Sequence, residues 1–154
     1  MKPGKPCTFA TIKRGNRTVV FFGLPGNPVS ALTTFHLYVS VAIKILQGLP
    51  EGKWRICAYA TTTADIRMDP SRVEYRRVLV EYVSEPGETA SGKIVAHDSM
   101  GSQASSRIMN YHGANALLVV PSQAERLGDT VLPAGTVLPA VMLEKKRILR
   151  HEFA

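Results

Sequence analysis

Hydrophobic and polar positions change their period along this chain. Thr8–Ile12 and Thr18–Phe22 are short runs rich in β-branched and aromatic residues, and Lys13-Arg14-Gly15-Asn16-Arg17 between them predicts a hairpin loop. Val19-Val20-Phe21-Phe22 is apolar without interruption, as in a strand covered on both faces. A dense turn signal follows in Gly23-Leu24-Pro25-Gly26-Asn27-Pro28. Beyond it Val29, Leu32, His36, Val39, Ile43 and Leu46 recur at helical spacing, with Phe35 and Ala42 widening the stripe. Asn27 is a good N-cap, Pro28 suits the first helical position where its missing N–H costs nothing, and Gly48 followed by Pro50 ends the helix.

From Lys53 onward the pattern is that of strands. Trp54–Thr62, Val73–Val83, Lys93–His97, Ala116–Val120 and Val137–Leu143 are expected strands. Pro86-Gly87, Gly128-Asp129 and Pro133-Ala134-Gly135 punctuate them, and Ser105–Tyr111 reads as a short helical turn. About five short strands in this stretch predict a small barrel or sandwich. The expected fold class is therefore α/β followed by all-β, with the boundary in Gly48–Lys53. Residues 1–52 form the α/β part, 53–144 a small β-barrel, and 145–154 a basic tail. One hairpin and one helix cannot cover both faces of a sheet. The α/β layer is thus expected to be completed by more of the same protein upstream of Met1, or else by another chain.

Composition narrows the class. The chain has 154 residues, 45% of them hydrophobic and 20% charged, which is ordinary globular usage and argues against disorder. The net charge of +7 raises the question of nucleic acid, but basic residues are not interleaved with aromatics in an RNA-binding pattern, and no nucleic-acid partner is expected. Two cysteines 50 positions apart, Cys7 and Cys57, make neither a metal-binding pair nor a disulfide framework, and they fit a reducing, cytoplasmic compartment. Pro28 to Ile43 carries no charged residue but includes Ser30, Thr33, Thr34, His36 and Ser40. It falls short of the ~20 apolar residues of a membrane span, so a buried helix is expected and no span.

Two turns have the form of anion sites. Lys2-Pro3-Gly4-Lys5 suits a type II turn, which brings its first and fourth Cα atoms within ~7 Å. Lys2 and Lys5 would then be neighbours, either solvated at the surface or sharing an anion. Pro25-Gly26-Asn27-Pro28 sits at a helix N-terminus, where unpaired N–H groups and the helix dipole favour negative charge and Ser30 adds a hydroxyl. A capped helix without ligand fits the same residues. No P-loop and no GxGxxG pattern is present. The carboxylates between 65 and 98 show no helical pairing and no association with a His, so no metal site is expected from this chain alone. Ser105-Ser106 lacks the context of a nucleophile elbow.

These two turns, in this order and ahead of a β-rich segment, resemble the molybdopterin molybdenumtransferase family, which includes bacterial MoeA and the E domains of gephyrin-like proteins. The signatures are Met-Lys-Pro-Gly-Lys-Pro at 1–6, Gly-Leu-Pro-Gly-Asn-Pro-Val-Ser-Ala at 23–31, Ser-Ser-Arg at 105–107 and Ala-Asn-Ala-Leu-Leu at 114–118. The likeness runs from residue 1 to about 144 and corresponds to the C-terminal part of a family member. It implies that residues 1–52 are the C-terminal half of a three-layer molybdopterin-binding α/β subdomain and that residues 53–144 are the C-terminal β-barrel subdomain.

The resemblance further implies a function in molybdenum cofactor biosynthesis: insertion of molybdate into adenylylated molybdopterin, with Mg2+ held by acidic residues upstream of this chain. The chain by itself would then be an incomplete enzyme, and the full protein a homodimer with its cleft between subunits. By the family pattern Lys2, Lys5, Pro6 and Ser30 belong to the molybdate and pterin pocket. Gly26, Asn27 and Pro28 form the helix start beside it, and Arg77 is a pocket arginine from the barrel. Asn110 stands three residues after Arg107, where many members carry a pocket Ser, and Tyr111-His112-Gly113 is also unusual there. A gephyrin-like scaffold that anchors receptors is the alternative the same resemblance carries.

Overall fold

The computed structural model describes residues 1–84, 92–98, 103–104, 108–143 and 149–151. The expected turn at Pro86-Gly87, the Ser-Ser-Arg motif at 105–107 and most of the basic tail lie outside the described residues.

Strand β1 (Thr8–Arg14) and strand β2 (Arg17–Gly23) form an antiparallel hairpin in the register Thr8↔Gly23 to Arg14↔Arg17. The loop is shorter than the sequence suggests. Only Gly15 and Asn16 lie between the strands, and Gly15 takes φ 59°, a left-handed value suited to the first central position of a tight hairpin turn.

The hairpin leads into a helix over Pro28–Leu46, built from α1 (Pro28–Thr34), a π-helical turn (Phe35–Val39) and α2 (Ser40–Leu46). The Asn27 side chain accepts from the Val29 N–H at 3.2 Å and Pro28 opens the first turn, as its sequence implies. At the other end Leu49 N–H donates to Lys44 O and Gly48 N–H to Ile45 O, with Gly48 at φ 77°; this pair of bonds is a Schellman cap. The helix is long and apolar enough by composition to cross a membrane, yet one of its faces lies on the barrel.

That face differs from the apolar stripe read off the sequence. Val29, Ser30, Thr33, Thr34, Leu37 and Ser40 are the buried positions, while Phe35, Ile43 and Leu46 are exposed. Small hydroxyl residues let the helix approach closely because their own helix takes up their hydrogen bonds. Thr34 Oγ1 donates to Ser30 O at 2.8 Å and Ser40 Oγ to His36 O at 2.9 Å. The π-helical turn then shifts the later residues out of the 3.6 period. Arg55 Nη2 donates to Leu37 O within this turn at 2.6 Å.

A closed five-stranded barrel follows. It is formed by β3 (Cys57–Thr62), β5 (Glu74–Ser84), β6 (Gly92–Asp98), β7 (Ala116–Val120) and β9 (Val137–Met142). Neighbours run β5-β6-β3-β9-β7, and β7 returns to β5 through Glu74↔Val120 to Val78↔Ala116. All pairings in the ring are antiparallel except β3 with β6. A short pair, β4 (Ile66–Arg67) with β8 (Val131–Leu132), and a parallel edge strand β10 (Leu149–His151) beside β5 were not foreseen. A single helical turn, α3 (Met109–His112), precedes β7.

Two cores share the barrel wall by strict alternation. Val78, Val80, Ala116, Leu118, Val120, Leu138 and Ala140 fill the interior, where Ile66, Met68 and Leu132 join them. The alternate residues Leu117 and Val141, with Tyr75 and Val119, face outward and meet Val29, Leu32 and Leu37 of the helix, Tyr111 and Met1. The helix and the N-terminal segment are therefore seated on the outer face of β5, β7 and β9.

Candidate functional site

The N-terminal segment docks on the barrel through Lys2. Lys2 N–H donates to Val73 O at 2.8 Å, Tyr75 N–H donates to Lys2 O at 2.7 Å, and Lys2 thereby lies parallel to Glu74. Gly4 has φ 139°, a region that L side chains rarely adopt, and its α-carbon faces Met1 and Thr34. The Lys2–Pro3 and Lys5–Pro6 peptide bonds are both cis. Gly4's φ of 139° lies far from the roughly +80° of the third position of a type II turn, so Lys2–Lys5 departs from the turn expected from its Pro-Gly pair. The turn nonetheless places Lys2 and Lys5 on one cavity.

That cavity measures about 620 Å³ and is lined by Lys2, Lys5, Ser30, Arg72, Glu74 and Gln103, among others. Of the residues picked from sequence, the fold thus gathers Lys2, Lys5 and Ser30, the last from the first turn of α1. Pro6, Gly26, Asn27, Pro28 and Arg77 do not line it. Asn110 lies on α3, and its side chain is outside the described residues.

Arg77 lies behind the cavity wall and is fully buried. Its N–H donates to Gln103 Oε1 at 3.1 Å, Gln103 Nε2 donates back to Arg77 O at 3.0 Å, and Arg77 Nη2 donates to Ala104 O at 3.3 Å. It therefore braces two residues that line the cavity. Burial disfavours its charge, and the nearby Tyr111 and Glu74 oppose that effect. Burial in turn pushes the Tyr111 hydroxyl up to about 12, against the pull of Thr33 and Arg77. The Tyr111 ring stacks on His36 of the helix with centroids 6.0 Å apart.

The carboxylates that look scattered in sequence converge here. Lys2 Nζ stands 3.7 Å from Asp69 Oδ2 and 3.9 Å from Glu74 Oε2. Arg72 Nη2 is 2.9 Å from Asp69 Oδ2, and Arg76 reaches both Glu74 and Asp98. Asp69 is held down to about 2, first by its side-chain bond to Arg72, with further help from the N–H groups of Ser71 and Arg72. Three cations thus meet three carboxylates, and Lys5 adds a positive charge at the cavity. A His–carboxylate contact also exists, against expectation: His97 Nε2 lies 3.6 Å from Glu81 Oε2 across β5 and β6. Among the described residues no group of three or more His, Cys, Asp and Glu is arranged to hold a metal ion.

Arg72 was missed because nothing local marks it. The one available signal was Asp69-Pro70-Ser71-Arg72, in which an Asp caps the next N–H groups and turns the chain.

A second cavity, of about 610 Å³, shares Met1, Gly4 and Lys5 with the first and runs between hairpin and helix. Phe9, Phe22, Leu37 and Ile45 line it, so it is an apolar gap between two layers.

Residues 59–141, more than half of the chain, match the family described as MoeA C-terminal region (domain IV). This chain belongs to that MoeA family. Its match spans strands β3 to β9 of the barrel and so includes Asp69, Arg72 and Arg77. The chain is 35% identical to the molybdenum cofactor synthesis protein cinnamon of Drosophila melanogaster, over 99% of this chain and 23% of that protein. It is 31% identical to a molybdopterin molybdenumtransferase of Nostoc, over 88% of this chain and 28% of that one. It therefore spans about a quarter of the length of these curated relatives. In structure it is similar to a molybdenum cofactor biosynthesis protein from Pyrococcus furiosus, with a TM-score of 0.54 at 24% identity, covering 84% of this chain and 42% of that one. That likeness extends the MoeA barrel fold to this chain.

Proposed function

We propose that this chain is part of a molybdopterin molybdenumtransferase, and that it supplies the oxyanion-holding wall of the cleft in which molybdate meets adenylylated molybdopterin. The observation that carries this reading is the convergence of Lys2, Lys5, Arg72 and Ser30 on one cavity of about 620 Å³. Cations and hydroxyl donors around a small polar space suit a tetrahedral dianion, and their task is to bind it and orient it beside the dithiolene. The relatives' names, molybdopterin molybdenumtransferase and molybdenum cofactor synthesis protein, support the same substrate class.

The described residues do not fit a Mg2+ site, since Asp69, Glu74 and Asp98 are each engaged by Lys or Arg. Magnesium would be held by acidic residues outside this chain. The hairpin face opposite Phe9 and Phe22 exposes Ile12, Val19 and Phe21 at 54, 47 and 53%, a surface that suits burial by other parts of the same cytoplasmic protein. Those parts would complete the three-layer α/β subdomain and the homodimer.

The test is molybdate binding by calorimetry on the intact protein and on Lys5→Ala. One charge-assisted contact is worth roughly 1.5–3 kcal/mol, and ~1.4 kcal/mol is tenfold, so affinity should fall about 10- to 100-fold. Tungstate should compete. Unchanged binding by Lys5→Ala overturns the reading.

A further inference from the structure

Lys2 and Arg72 reach the cavity from different elements, and one buried carboxylate touches both. Asp69 Oδ2 lies 2.9 Å from Arg72 Nη2 and 3.7 Å from Lys2 Nζ. The Asp69 side chain is only 7% exposed, against 43% for Lys2 and 45% for Arg72. The anchor is therefore inside and the two cations reach outward from it. Asp69 is itself fixed, because Oδ1 accepts from the N–H groups of Ser71 and Arg72, each at 3.1 Å. Its fork of contacts to Arg72 is completed by Nε at 3.5 Å. Lys2 Nζ is also 3.9 Å from Glu74 Oε2.

We propose that Asp69 is a positioning residue that sets Lys2 and Arg72 at the mouth of the cavity. The inference rests on the cavity being the oxyanion site. Both cations line the cavity, while the carboxylate that ties them does not. With one edge of the guanidinium on Asp69, the remaining N–H groups of Arg72 are aimed away from it. A free Lys2 would lose side-chain entropy on meeting an anion, and holding it beforehand removes part of that cost.

The sign of one substitution separates this role from simple electrostatics. Asp69→Asn keeps the Oδ1 acceptor for the turn and deletes the charge. If Asp69 acts only through its field, removing a negative charge beside the cavity tightens molybdate binding. If it positions Lys2 and Arg72, binding weakens. We expect molybdate affinity of the intact protein to fall about tenfold in Asp69→Asn. In a Lys2→Ala/Arg72→Ala background the same change should bring no further loss, because the groups it positions are gone.

Arg72→Lys, which keeps the charge and loses the fork, should weaken molybdate binding several-fold, and it decides the case if Asp69→Asn does not fold. Lys5→Ala serves as the control for the site itself. Tighter or unchanged binding in Asp69→Asn with weaker binding in Lys5→Ala overturns the positioning role and leaves the site standing. An equal loss on Asp69→Asn in both backgrounds also overturns it. A wild-type protein that does not bind molybdate overturns both.

Discussion

Asn115 takes the place of a strand for Val80. Its side-chain oxygen accepts from Val80 N–H at 2.7 Å, and its amide nitrogen donates to Val80 O at 2.9 Å, both within the buried interior. The β5–β7 ladder ends at Val78↔Ala116. Beyond that point the two strands part, and one amide side chain satisfies both backbone groups of the next inward-facing residue.

Asn115→Ala should leave a donor and an acceptor buried without partners. Each such group costs about 1–3 kcal/mol, so a loss of about 2–6 kcal/mol is expected for the two. Urea denaturation should show the midpoint falling with little change in slope. Asn115→Asp should lose as much, since a carboxylate then faces the Val80 carbonyl. A change within about 0.5 kcal/mol would mean that water replaces the amide.

Arg77 and Lys5 should separate cleanly in melting curves. Arg77 is buried behind Gln103 and Ala104, so Arg77→Ala opens a cavity and removes the side-chain donor to the Ala104 carbonyl, while the two Gln103 bonds, made to the Arg77 backbone, remain. A loss of about 3 kcal/mol corresponds to roughly 6–12 °C in Tm at this chain length. Arg77→Met, which keeps the volume, should be milder than Arg77→Ala. Lys5→Ala, at an exposed position, should shift Tm little while losing molybdate affinity.

Gly4→Ala should destabilise for two reasons that act together. An added Cβ would come within 2.7 Å of Met1 Cε and 3.2 Å of Thr34 Cγ2, at a φ of 139°. About 1–3 kcal/mol of stability should be lost from the backbone conformation alone. A Gly4→Ala protein with wild-type Tm would show that the N-terminal segment readily takes another path.

Acid should weaken the fold partly through Asp69. Its folded pKa of about 2 lies below the ordinary value of 3.8. A depressed carboxylate stabilises the fold above its unfolded pKa, and that contribution is lost as pH falls through the folded one. The window is thus about pH 4 down to pH 2. The slope of Tm against pH in that window should be shallower for Asp69→Asn than for wild type. Identical slopes would show that the pair with Arg72 carries no stability.

Strands announced themselves where segments of five residues or more were rich in β-branched and apolar residues. Val73–Val83 was expected and Glu74–Ser84 is found, and Ala116–Val120 matches residue for residue. Ile66–Arg67 and Val131–Leu132 are too short to carry a period, and they become strands only because each finds the other. The helix was legible in extent, but its buried face was not. A buried row of Ser and Thr looks like a polar face until their hydroxyls are seen to bond back to their own helix.

In the site, Lys2 and Lys5 stood out because a Pro-Gly pair joins them. Asp69, Arg72 and Glu74 did not, because their partner Lys2 lies far away in the chain and arrives only when the N-terminal segment docks on β5. Arg77 was singled out by the family resemblance alone. Its place depends on the alternation in β5, which sets Tyr75 and Arg77 opposite Val119 and Leu117 on the helix-bearing face.

The ring closure carries a kinetic consequence. Tyr59 pairs with Pro139 and Cys57 with Val141, across most of the barrel's sequence. The hairpin, with Arg14 opposite Arg17, needs only a local loop, of the kind that closes in about 1–10 μs. The barrel must first spend the loop entropy of its most distant pairing, which places such topologies in the millisecond-to-second range. During synthesis β3 emerges long before β9 exists to cover it. For that interval the exposed edge of β3, with Tyr59 and Ile56 beside it, is the part of the chain most in need of protection.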